Sequence, residues 1–69
     1  MNKEEILFKL KTIAVEGGDP FLDIEGWYRK IKMELENNSI EMVSKINAIP
    51  IELVQKIKDI SNEDHQRTD

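Results

Sequence analysis

Fourteen carboxylates, one histidine and one run of aromatics among cations are the residues of this chain whose types could do chemistry. The histidine, His65, stands beside Asp64 in "SNEDHQRTD", a segment without an apolar residue. A metal site or an acid–base catalyst needs converging groups in a held geometry. A polar tail supplies neither, and His65 reads as solvated. With no cysteine in the chain, thiolate metal sites and disulfides are excluded. Glu4, Glu5, Asp19, Asp23, Glu25, Glu34, Glu36, Glu41 and Glu52 fall on polar faces or at helix starts, where negative charge suits the helix dipole. None stands in the apolar surroundings that make a general acid. Asp19 and Asp23 hint at a calcium loop, but "DPFLDIEGWYRK" puts apolar residues where oxygen ligands are required. "EGGDP" lacks the glycine spacing and the lysine of a phosphate loop. The sequence therefore predicts no catalytic, cofactor-binding or metal residue, no cofactor, and no enzyme.

"WYRKIK" is the aromatic and cationic run. Such mixtures hold nucleic acid when bases stack on the rings and cations follow the backbone. Here Trp27, Tyr28 and Ile31 share one helical stripe, which suits a core. Arg29, Lys30 and Lys32 then form an outward cationic face. The chain has ten Lys plus Arg against fourteen Asp plus Glu, a net charge of -4. That balance opposes a nonspecific grip on phosphates.

Behind these residues lies an all-α pattern. No segment alternates like a strand and no hairpin turn dipeptide occurs. Helical spacing recurs instead, and it predicts four helices at about 3–15, 20–36, 39–47 and 50–61. Ile6, Leu7, Leu10, Ile13 and Ala14 line one face of the first, with Glu5 and Lys9 spaced for an ion pair. Gly17 and Gly18 end it. Asp19-Pro20 is a capped start for the second, with Asp23 as a competing cap. Ile24, Trp27, Tyr28, Ile31 and Leu35 are its apolar stripe. Gly26 inside this helix points to a close approach or to a later start.

The third and fourth helices are a near-repeat. "SIEMVSKINAI" and "PIELVQKIKDI" align over eleven residues, each with the same apolar arc and a Glu-to-Lys pair, Glu41–Lys45 and Glu52–Lys56. Asn38 with Glu41 has capping-box spacing, and Ser39 competes as the cap. An eleven-residue period would keep one stripe nearly in line on a single long helix. Pro50 favours two helices, because a proline inside a helix costs about 3 kcal/mol and pushes Ile49 toward extended backbone. Equivalent patterns predict equivalent contacts with the body. "INAIPIELVQKI" resembles the helix-hairpin-helix family in its apolar spacing. Ala48 and Pro50 stand where that family places glycine, and proline has no amide proton to offer a phosphate.

The predicted core is Ile6, Leu7, Leu10, Ile13, Ile24, Trp27, Tyr28, Ile31, Leu35, Val43, Ile46, Leu53, Val54, Ile57 and Ile60. Residues 1–61 form one helical domain and 62–69 a disordered polar tail. The amino-terminal stretch has no signal-peptide pattern and no apolar run is long enough for a membrane span. The expectation is a soluble, cytoplasmic protein that makes no membrane contact. Phe8 and Val15 depart from this scheme: they lie in line on the side of the first helix opposite its main stripe. Two apolar faces mean either a central helix covered on both sides or a patch for a partner. The candidate partner-binding residues are thus Phe8 and Val15. The predicted function is a small non-catalytic protein-binding module, a regulator or inhibitor that docks on a larger protein or on itself. The alternative is a small helical nucleic-acid-binding regulator using Arg29, Lys30 and Lys32.

Overall fold

The computed structural model describes the backbone of residues 2–67 and the side chains of residues 2–61. Four helices follow in order: α1 (Lys3–Glu16), α2 (Ile24–Glu34), α3 (Ile40–Asn47) and α4 (Ile51–Arg67). The fold is an all-α bundle, as the spacing predicts. Among the described residues no helix is long and apolar enough to cross a membrane.

Each boundary has a local cause. The Asn2 carboxamide oxygen accepts from the Glu5 amide at 2.9 Å and starts α1. Gly17 and Gly18 end it in a six-to-one turn, the Asp19 amide reaching the Ala14 carbonyl at 2.8 Å. Gly18 takes the left-handed backbone this turn needs, at φ 89°. α2 starts at Ile24, later than the Asp19-Pro20 start, because Asp23 is the cap: its carboxylate accepts from the Gly26 amide at 3.1 Å. A Cβ on Gly26 would lie 2.6 Å from Asp23 Oδ2. The glycine thus lets the cap close over the first turn. α2 also ends earlier than expected, at Glu34, in a tightened turn through Asn37. For α3, Ser39 is the cap, accepting from the Met42 amide at 3.2 Å. Asn38 turns back instead and donates to the Glu34 carbonyl.

The repeat folds as two helices. Ala48 adopts left-handed backbone at φ 56°, ψ 46° and ends α3. Ser44 braces the bend twice: its carbonyl accepts from the Ile49 amide at 3.2 Å, and its hydroxyl donates to the Ile49 carbonyl. Pro50 then stands one residue before α4, where its missing N–H costs nothing. Its carbonyl accepts from the Leu53 and Val54 amides, the first bonds of the new helix. The α4 backbone continues to Arg67, past the expected end near 61. Side chains beyond Ser61, His65 included, and residues 68–69 lie outside the described residues, and with them the expectation of a free tail.

Ile6, Leu10, Tyr28, Ile31, Val43, Ile49, Leu53, Val54 and Ile57 form the buried core. Leu7, Ile13, Ile24, Trp27, Leu35, Ile40 and Ile60 pack against it, partly buried. Full burial of such a side chain contributes about 1.5–3 kcal/mol relative to exposure. Two corrections follow. Ile46, expected in the core, is 50% exposed. Ile49 takes a core place instead, because the bend after Ala48 turns it inward. The two repeat copies are also not equivalent. Among the described residues α4 packs against α1, α2 and α3, whereas α3 packs against α2 and α4 alone. Position by position, Leu53 and Ile57 are buried while their counterparts Met42 and Ile46 are about half exposed.

Candidate functional site

A groove of about 830 Å³ lies between α1 and the start of α4. Ile13 and Leu53, the less exposed of its apolar lining residues, form its floor, and Pro50 lines it as well. Phe8 lines it from α1 and is 73% exposed. Glu4, Glu5 and Glu52 add negative charge to the rim, and Lys9 and Lys56 add positive charge. An apolar floor, an aromatic at the edge and a rim of both signs can hold an amphipathic segment of another protein.

Both candidate partner-binding residues are at the surface. Val15 is 48% exposed, two turns along from Phe8 on the same line of α1. Only Phe8 lines the groove. The interior of the bundle is on the other side of α1, through Ile6, Leu10 and Ala14. The two apolar faces of α1 therefore have different fates: one is core and the other faces outward.

The cationic run is split by its partners. Lys30 approaches Glu34 at 3.7 Å, one turn along α2. Lys32 lies 5.5 Å from the Tyr28 ring centroid and Lys3 lies 5.6 Å from it. Tyr28 is thus flanked by two ammonium groups, each within reach of its ring face. Lys3 also approaches Glu25 at 3.7 Å. Arg29 is exposed. Among the described residues, Lys3–Glu25 and Lys30–Glu34 are the ion pairs. The expected pairs Glu5–Lys9, Glu41–Lys45 and Glu52–Lys56 are not closed, since exposed side chains gain little by meeting.

Sequence reasoning missed a polar link at the far end of the bundle. The Trp27 indole donates to Asn47 Oδ1 at 2.9 Å. Asn47 Nδ2 donates to Glu34 Oε1 at 2.7 Å and to the Val43 carbonyl at 2.9 Å. This part-buried chain ties the last turn of α3 to α2. The signal available was a tryptophan in an apolar stripe, whose N–H requires an acceptor when buried. Phe21 was also missed. It sits in the α1–α2 connection between Asp19 and Asp23 and is 95% exposed.

Among the described residues no group of three or more histidine or carboxylate side chains is placed to hold a metal ion. No family model matches the chain, and no curated protein or solved structure is found similar to it.

Proposed function

We propose that this chain is a small non-catalytic protein-binding module, acting in the cytoplasm as a regulator or inhibitor of the protein on which it docks. The observation that carries the reading is Phe8, a large aromatic held 73% exposed at the edge of a groove with an apolar floor. Isolated exposed apolar residues are ordinary. An aromatic beside an apolar groove rimmed by both charges has the makeup of an interface centre. Val15 extends the same line of α1 and would widen the contact. Two features weigh against a grip on nucleic acid: the net charge of -4, and the engagement of Lys30 and Lys32 by Glu34 and Tyr28.

The test is capture from extract on immobilised chain, with and without nuclease, comparing Phe8→Glu and Arg29→Glu with the unaltered protein. Both residues are exposed, so both variants should keep their helicity. The reading expects a protein retained by the unaltered chain and by Arg29→Glu, insensitive to nuclease and lost on Phe8→Glu. A folded Phe8→Glu chain that keeps every captured protein would overturn it.

A further inference from the structure

Among the exposed apolar side chains of the described residues, two short rows on different helices are complementary. The first is the outward line of α1, Phe8 and Val15. The second is on α3. Met42 and Ile46, one helical turn apart, are 48% and 50% exposed. Their counterparts eleven residues on, Leu53 and Ile57, are buried. The two copies carry the same stripe. The α4 copy has α1 packed beside it, and among the described residues α1 and α3 do not pack together. The α3 stripe thus lacks the helix that its twin has.

We propose that a second copy of this chain supplies it: the Phe8–Val15 line of one protomer seats on Met42 and Ile46 of another. This rests on the reading of Phe8 as a docking residue and names the partner.

Charge sets the orientation. Beside the Phe8–Val15 line, on one side of α1, stand Glu4 and then Lys11. Beside Met42 and Ile46 stand Glu41 and then Lys45. Both rows run from acidic to basic along the chain. Antiparallel packing brings the two rows to the same side of the contact, with Glu4 against Lys45 and Lys11 against Glu41, whereas parallel packing leaves the rows on opposite sides, unpaired. None of the four belongs to an ion pair within its own chain among the described residues. Lys11 donates to the Pro20 carbonyl of the α1–α2 connection at 2.6 Å. The contact joins two different surfaces. It is therefore made twice across a two-fold axis or once per link in a ring or chain.

That asymmetry provides the experiment. Sedimentation equilibrium is run from micromolar to millimolar concentration on the unaltered chain, Phe8→Glu, Ile46→Glu, and an equal mixture of the two variants. The unaltered chain should self-associate. Each variant alone should associate about tenfold or more weaker, the loss expected for one central residue. The mixture should regain association as a one-to-one pair, because Ile46→Glu keeps an intact α1 line and Phe8→Glu keeps an intact α3 stripe. Glu4→Lys and Lys45→Glu form a second arm that leaves the apolar residues alone. Each should weaken association, and the two combined in one chain should restore it. An unaltered chain that stays monomeric throughout overturns the proposal. So does Ile46→Glu associating like the unaltered chain, which would mean α1 pairs with α1. So does a mixture that stays monomeric although both variants are folded. A monomeric chain whose captured partner is lost on Phe8→Glu would remove the second copy and leave the docking reading standing.

Discussion

Residues 39–49 and 50–60 present the same apolar pattern to the same bundle, and the bundle treats them differently. In the second copy Leu53, Val54 and Ile57 are buried and Ile60 is partly covered. In the first, Val43 and Ile49 are buried while Met42 and Ile46 are half open. The cause is the number of neighbours. Among the described residues α4 lies against three helices and α3 against two. A stripe of four residues tells a helix which way to face, but the width that is covered depends on what the rest of the chain places beside it. Where cover is missing, the leftover apolar surface becomes available for binding.

Identical substitutions at equivalent positions of the two copies should have unequal effects. Ile57→Ala should destabilise by about 2–5 kcal/mol, as buried large-to-small changes do. Ile46→Ala should lose about 1 kcal/mol, since half of its surface is already exposed. Thermal melting of the two variants in dilute solution decides it, and equal losses would mean that the copies are equally packed. Asn47→Ala should cost about 1–3 kcal/mol, because it leaves the Trp27 indole and the Glu34 carboxylate without this partner. The loss should appear with a change in tryptophan emission. No change would show that the α2–α3 link contributes nothing. Ala48→Gly should stabilise by about 0.5–1 kcal/mol, because glycine holds the left-handed bend without Cβ strain. A loss in denaturant titration would argue against that bend. Pro50→Ala should be the smallest change, neutral or destabilising by under about 1 kcal/mol. A gain larger than that would mean the proline interrupts one helix.

Much of the fold was legible because helix boundaries are written in short-range chemistry. The glycines after Glu16, the Asp23 cap and Pro50 each act on neighbouring residues, and a linear reading can weigh them. Choosing between Asp19 and Asp23, or between Asn38 and Ser39, depended on backbone geometry that residue type does not carry. The inward face of α1 was legible from its periodicity, and so was the existence of its second face. That Phe8 sits at a groove was not, because the groove is made with Leu53 and Pro50, more than forty residues away. Ile46 was misjudged for a related reason: periodicity puts it on one stripe with its neighbours but does not say whether another helix lies beside that stripe. Asn47 carries no apolar signal, so its link to Trp27 could not be found from spacing.

The central claim, that one stripe is covered and its twin is open, can be tested on side chains directly. A soluble paramagnetic probe, added to chain labelled at Met and Ile methyls and dilute enough to be monomeric, broadens each methyl according to its exposure. Strong broadening is expected at Met42 and Ile46, with Ile57 and Ile31 spared. Equal broadening of Ile46 and Ile57, or protection of Met42 and Ile46 in the monomer, would contradict that claim.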